Sequence, residues 1–571
     1  MATPARAHNP NPALVTQRGA RRLPRVPLLL LCAAYLLPGL IGRDPWRGAE
    51  FAAFGQMLAM AEGRTSWWLP ALGGVPGDSA LLSHWWGAIF IRAGAGWLDP
   101  ALAARLPFAA LLALTLALVW YSAFHLARTE AAQPVAFAFG GEADPVDYAR
   151  AIADGALLAL IATLGLAQLG HETTPELAQL LAAALFLYGL AAAPFRPLRC
   201  RLALLAALPL LAGSGAPAVA LALGLGGVLV CSQSRYPQVR ALVVWLAGAC
   251  AGAVVLAFWL HAWRLRGVGL SPSDVPSIAR QWLWFMWPVW PMALWTLWRW
   301  RRQLSFRHIS APLVLIVVAL GTNLAMAGND RALMLGLPGL AVLAAFALPT
   351  LKRSAAAGID WFSICFFTLS AVVIWVIYVA MHTGVPAKTA ANVSKLAPGF
   401  EAQFSALTLV FAVTGTVAWL WLVRWRTGRH RDALWKSLVL PAGGVALCWL
   451  LLMTLWLQPL DYARSMRTWV DRVSQHVPAR ACLLAPAASP STVAALEFLG
   501  RWKVDARADT LSQATASQGL SASPCNHMVQ VFASEFAAKA APPGWQQVAV
   551  VRRPADRQEV SHVYQRQRST Q

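Results

Sequence analysis

The sequence predicts a mainly α protein, a polytopic transmembrane helix bundle of about thirteen helices with a small soluble α/β domain at its C-terminal end. Three observations carry that prediction. Of the 571 residues, 58% are hydrophobic and 13% charged, against about 25% charged in a soluble domain. The mean hydropathy is +0.53, so polar groups are too few to cover a surface in water and lipid must be the main solvent. The apolar residues fall into long runs separated by arginine-rich loops, and this pattern stops near Asp461.

The elements follow in order. Residues 1–26 are polar, basic and rich in proline, which predicts a disordered cytoplasmic arm. The first span, 27–41, follows Arg21, Arg22 and Arg25; no small-residue cleavage site succeeds it, so it is expected to stay uncleaved. Further spans are expected at 105–125, 152–170, 176–194, 202–214, 216–232, 239–260, 281–299, 309–327, 332–350, 358–381, 405–424 and 435–457. The 202–232 stretch reads either as two spans or as one helix hairpin around Gly213 to Pro217. Together these make a transmembrane domain over 27–458, with a long first loop at 42–104. Apolar stretches in that loop, Phe51 to Ala61 and Leu81 to Ile91, are expected to lie in the membrane interface. From 459 to 571 short apolar runs alternate with helical stretches, as in a small α/β domain.

Basic residues orient the bundle. Arg196, Arg199 and Arg201; Arg235 and Arg240; Arg299, Arg301, Arg302 and Arg307; Lys352 and Arg353; and Arg424, Arg426, Arg429 and Arg431 all fall on the side of the N-terminal arm. The positive-inside rule makes that side cytoplasmic. The first loop, the 171–176 turn, the 262–280 and 383–404 loops and the C-terminal domain then face outward, into the periplasm of a bacterial inner membrane. The 28 Trp suit the membrane–water boundary. The net charge of +22 lies in short loop clusters with no recognition motif, which argues against nucleic acid. No G-x-x-x-x-G-K-[ST] occurs, and no His or Cys pairs stand at zinc spacing. Cys32, Cys200, Cys231, Cys250, Cys365 and Cys448 sit in or beside apolar runs and read as small core hydrophobes; Cys482 and Cys525, in the tail, are able to pair in an oxidising compartment.

The chemistry-bearing segment is Gly42-Arg43-Asp44-Pro45-Trp46-Arg47-Gly48-Ala49-Glu50, where the first span leaves the membrane. An acid here can accept a proton from a hydroxyl or bind a metal, and an arginine can grip a lipid phosphate in two-pronged fashion. The plainer reading is a helix cap with snorkelling arginines. Glu172 and Glu176 flank Pro175 in an outer turn, which suits a helix start and also support of a donor phosphate or metal. His261, with Arg264 and Arg266, suits an interfacial anchor and also a pyrophosphate or metal.

Arg43-Asp44-x-x-Arg47-x-Ala49-Glu50, then Met57 and Trp68-Leu69-Pro70, resembles the first external loop of the GT-C glycosyltransferases, in the branch of lipid A aminoarabinose transferase and the protein O-mannosyltransferases. Gly73-Gly74-Val75-Pro76 through Trp85-Trp86 resembles the N-G-x-P segment of that loop, and Ala103-Ala104-Arg105-Leu106-Pro107 its A-x-R-L-P. Trp287-Pro288 with Trp290-Pro291, Asp330-Arg331 to Leu340, and Asp461-Tyr462-Ala463-Arg464-Ser465 resemble later family segments. The resemblance implies an inverting transferase that moves a sugar from a polyprenyl-phosphate donor to a lipid, glycan or protein acceptor at the periplasmic face. Asp44 stands at the family's essential acid, as general base. Arg43, Arg47 and Arg331 would meet the donor phosphate, with Glu50, Asp78, Glu172 and Glu176 as supporting acids. A divalent metal ion is the one cofactor implied, with His84 and His261 as candidate ligands. The family's second acid is Pro45 here, its Glu-Lys pair falls at Ser79-Ala80, and its Tyr after Arg331 is Ala332. Two other classes stay open: a transporter or flippase for a lipid-linked substrate, and a non-catalytic membrane assembly protein.

Overall fold

The computed structural model describes residues 12–137, 139–263, 271–428, 433–507, 525–534, 541–553, 556 and 559–567. Among them, eight helices are long and apolar enough to cross a membrane: Pro100–Ala127, Pro175–Ala192, Pro237–Trp259, Arg307–Ala325, Asp330–Thr350, Arg353–Thr383, Ala406–Thr427 and Lys436–Leu455. Arg25–Leu36 and Pro217–Ser232 are shorter apolar helices.

In chain order, α1 (Arg25–Leu36) leads into the first loop, which folds as α2 (Ala49–Ala61), a hairpin of β1 (Ala71–Leu72) and β2 (Val75–Pro76), and α3 (Leu81–Ala93). The bundle continues as α4 (Pro100–Ala127), α5 (Pro145–Ala162), α6 (Leu164–Leu169), α7 (Pro175–Ala192), α8 (Pro197–Gly213), α9 (Pro217–Ser232), α10 (Pro237–Arg240) and α11 (Leu242–Trp259). Then come α12 (Val275–Phe285), α13 (Trp290–Arg299), α14 (Arg307–Ala325), α15 (Asp330–Leu333), α16 (Leu337–Ala347), α17 (Arg353–Thr383), α18 (Ala387–Leu396), α19 (Ala406–Thr427) and α20 (Lys436–Leu455). Six of these helices, α4, α5 and α7 to α10, start at a proline, whose missing N–H costs nothing in the first turn. The 202–232 stretch forms two helices, α8 and α9, turned at Gly215 with φ +88°.

Burial separates core helices from peripheral ones. In α16, LPGLAVLAAFA, every residue is buried, as an apolar surface on all sides requires. By contrast α19 buries only Ala412, Trp419 and Arg426, and turns Leu407, Val410, Leu420 and Trp421 outward. Such a face suits lipid.

Two expected spans are broken. The 281–299 run divides into α12 and α13 where Pro288 and Pro291 interrupt the helical hydrogen bonds. The 152–170 run divides at Thr163, whose ψ of 120° is extended. The two breaks satisfy each other, because Leu164 N donates to the Trp287 carbonyl at 3.0 Å.

Two further expectations need correction. The arm expected to be disordered over 1–26 is packed from residue 12 onward. Val135 N donates to the Ala13 carbonyl, Leu434 N to Gly19 and Trp435 Nε1 to Arg21, while Ala13, Val15 and Ala20 are buried. Those contacts supply the apolar burial and backbone partners that composition alone hides; residues 1–11 lie outside the described residues. Helix α2, expected at the membrane interface, is instead buried against α3 and a helix of the C-terminal domain, with Phe54 meeting Phe498 edge to face at 5.0 Å.

The C-terminal domain follows α21 (Leu457–Arg464) and α22 (Arg467–Ser474). Its strands are β3 (Cys482–Leu484), β4 (Lys503–Asp505), β5 (His527–Phe532), β6 (Trp545–Arg552) and β7 (Val560–Arg566), with α23 (Pro490–Phe498) between β3 and β4. The described strands form one sheet in the order β4-β3-β5-β7-β6, parallel from β4 to β5 and antiparallel beyond. A Cys482–Cys525 disulfide ties β3 to the start of β5.

Candidate active site

After α1 the chain turns through Gly39 (φ +82°) and Gly42 (φ +83°), conformations that a side chain would strain. Gly39 also lies so close under Met453 that a Cβ there would approach its sulfur to 2.8 Å. This turn delivers Arg43 inward and Asp44 toward the C-terminal domain.

Asp44 is held from the far end of the chain. Arg467 donates Nε to Asp44 Oδ2 at 2.9 Å and Nη2 to Oδ1 at 2.6 Å; Ser465 Oγ donates to Oδ2 at 2.7 Å. The Asp44 backbone N–H donates to Asp461 Oδ1 at 3.0 Å. The Asp44 side chain is 15% exposed and that of Arg467 57%. Burial and the neighbouring Asp44 charge push the Asp461 carboxyl up to about 6.

Arg43 faces the other way. It pairs with Glu50 through Nη1 at 2.7 Å and Nη2 at 2.9 Å, and both side chains are 1% exposed. Nε donates to the Gly39 carbonyl and Nη2 also to that of His171. Glu50 further accepts from the Trp46 N–H at 2.9 Å, with Arg105 at 3.9 Å. Burial alone would raise the Glu50 pKa, but Arg43, Arg105 and the Trp46 amide outweigh it and hold the carboxyl below its ordinary value.

A third group adjoins the second along the 171–174 turn, where Thr173 N also points at Glu50. Arg331 pairs with Glu172, lies 3.7 Å from Glu176 and donates to Thr174 Oγ1 at 3.1 Å. Arg47 reaches neither group; it binds Asp556, at 3.0 Å, and Glu559 of the C-terminal domain. Asp78 Oδ1 lies 3.4 Å from Nδ1 of His84, which is buried at the start of α3 with neither ring nitrogen hydrogen-bonded. His261 sits exposed beyond α11 at φ +52°, and Arg264 and Arg266 lie outside the described residues. The sequence expects Arg43, Arg47 and Arg331 to stand ready for a phosphate; the structure engages all three with carboxylates.

Sequence reasoning missed Arg467. Its signal was the Asp461 to Ser465 segment, two residues short of it. Arg467 also lines a groove of about 1040 Å³ between the first loop and the C-terminal domain, together with Arg480, Arg501, Lys503 and Asp99 and with Arg64 paired to Glu62 and Glu497. Among the described residues no three His, Cys, Asp or Glu side chains converge. Asp44, Glu50 and Glu172 each pair with a guanidinium instead.

An α bundle, an ordered first loop and a C-terminal α/β domain together define a polytopic helical membrane protein. The chain is similar to two solved structures of ArnT from Cupriavidus metallidurans. For ArnT in the apo state the TM-score is 0.61 at 16% identity, covering 94% of this chain and 96% of that one. For ArnT bound to undecaprenyl phosphate it is 0.60 at 14% identity, covering 94% and 97%. The likeness is one of fold. No family model matches the chain, and no curated protein matches it in sequence.

Proposed function

We propose that this protein is a membrane glycosyltransferase of the GT-C type that takes its sugar from a polyprenyl-phosphate donor. The observation that carries the reading is Asp44, a partly exposed carboxylate clamped by Arg467, which lines a groove against the C-terminal domain, in a chain whose fold matches a structure bound to undecaprenyl phosphate. In the proposed step Asp44 accepts the proton of the acceptor hydroxyl as its oxygen attacks the anomeric carbon. The new C–O bond forms as the bond to the phosphate breaks, the phosphate leaves with the electron pair, and the configuration inverts. Arg467 orients the base and places positive charge near the leaving group. The arginine-rich loops support a position for Asp44 at the periplasmic face of an inner membrane. Donor and acceptor meet there; the acceptor is an envelope lipid, glycan or protein.

A second reading is a non-catalytic assembly protein with the same fold. One observation favours it: both Asp44 oxygens are engaged, one by Arg467 alone and one by Arg467 and Ser465. The two readings separate on Asp44→Asn. As a transferase, the purified protein in nanodiscs transfers labelled sugar from a polyprenyl phosphosugar to membrane lipid, and the variant loses that transfer at unchanged abundance and thermal stability. Equal product from both proteins would remove Asp44 from the chemistry.

A further inference from the structure

At the opposite end of the bundle lies a cluster that the transferase reading does not use. Arg307 opens α14; it is 7% exposed, and none of its three guanidinium nitrogens has a hydrogen-bond partner. Its guanidinium lies 5.8 Å from the centre of the Tyr236 ring. Arg307, Arg128 and Arg196 all bear on His125, which is 6% exposed with Nδ1 unpartnered. The Phe195 ring is shared, stacked on His125 at 5.5 Å and lying 4.4 Å under the Arg128 guanidinium. The positive charge runs from exposed Arg196 through half-buried Arg128 to buried Arg307.

A buried guanidinium without an acceptor is costly, since the desolvation of the charge goes uncompensated. The N-terminus of the 19-residue α14, which no side chain caps, adds its own partial positive charge. The side chains of this region are three guanidiniums and an imidazole, and an anion with several acceptor oxygens such as a phosphate meets arginine in two-pronged geometry. Just beyond Arg196, Leu198 and Leu202 on α8 are 67% and 57% exposed, an apolar track away from the cluster. Arg105 and His125 are twenty residues apart on α4, which places this cluster about 30 Å from the Glu50 group.

We propose that Arg307, His125, Arg128 and Arg196 form a binding site for a phosphate anion, supplied by the headgroup of an anionic phospholipid whose acyl chain lies along Leu198 and Leu202. Basic pockets between helices at the inner side of a membrane bind such headgroups. The site stands whether or not the chain is a transferase.

The test uses the full chain in nanodiscs of phosphatidylcholine alone, of phosphatidylcholine with phosphatidylglycerol, and of phosphatidylcholine with inorganic phosphate added. Native mass spectrometry counts retained lipid, and thermal unfolding reads stability. The wild type is expected to retain phosphatidylglycerol about tenfold better than Arg307→Gln, the loss of a charge-assisted contact, and to be stabilised by that lipid when the variant is not. Arg307→Lys recovers part of the effect. Protection of the wild type alone by inorganic phosphate supports the anion site and assigns it to the free ion. Equal retention by wild type and Arg307→Gln, with the variant more stable in every disc, would show a merely buried charge and overturn the proposal. Should Arg307→Gln fail to fold, His125→Gln carries the same comparison.

Discussion

Replacing Arg43 by methionine tests whether this arginine holds the site together or handles substrate. The change removes two bonds to Glu50, at 2.7 and 2.9 Å, and the contacts to the Gly39 and His171 carbonyls. What remains for Glu50 is the Trp46 amide at 2.9 Å, the Thr173 amide at 3.5 Å and Arg105 at 3.9 Å. Breaking one side of a buried pair costs roughly 3–5 kcal/mol, because the other charge stays buried. Arg105 compensates in part, so the expected loss is near the lower end, about 3 kcal/mol. Substituting Glu50 by leucine as well removes the stranded charge, and the double variant should be less destabilised than the sum of the two singles by at least about 1 kcal/mol. The assay is chemical unfolding of the purified protein, followed by tryptophan fluorescence, across the four proteins of the cycle. If Arg43→Met unfolds within about 0.5 kcal/mol of wild type while substrate binding collapses, the arginine serves the substrate and the structural assignment is refuted.

Three further outcomes follow. Asp461 is raised from 3.8 to about 6 by burial and by Asp44, so the folded protein binds its proton more tightly than the unfolded chain. Its ionisation therefore costs stability that returns as pH falls through 6 and is regained in full below 4. The cost at neutral pH is on the order of 2 kcal/mol after allowing for solvent screening, and Asp461→Asn should flatten the pH dependence of unfolding over that window; an unaltered profile counts against it. The Cys482–Cys525 bond closes a loop with a sequence separation of 43. Opening it by Cys482→Ser should cost about 4 kcal/mol on loop entropy, read as proteolysis confined to the C-terminal domain, and equal protease resistance would contradict that. Glu172→Gln weakens the hold on Arg331 and should cost about 1.5–3 kcal/mol, detectable as a lowered thermal midpoint, whereas Asp78→Asn, on a half-exposed carboxylate, should leave that midpoint within experimental error.

Hydropathy made the bundle legible because a lipid-facing or core helix has few alternatives to an apolar run. That is why α4, α14, α17 and α20 fall where the runs do. Breaks inside a run were harder. Pro288 and Pro291 signal one, but the break at Thr163 follows from its contact with Trp287 across the bundle. The packed arm from residue 12 was hidden for a related reason. Its order rests on partners at 135–143 and 433–435 rather than on its own composition. In the site, Asp44 was legible from its position at the end of the first span. Its partner was not, since nothing in the local sequence of Arg467 announces a contact with the first loop. Arg43 and Glu50 were legible as charges but not as a buried pair, since burial and pairing depend on the packing around them.

The clamp on Asp44 joins residues separated by 423 positions. A nascent chain inserts Asp44 early and supplies Arg467 only when nearly all of the bundle has been made. A stalled or clipped product thus carries an unclamped carboxylate and lacks the wall of the groove. Formation of the clamp therefore waits on a residue that leaves the ribosome long after Asp44 does.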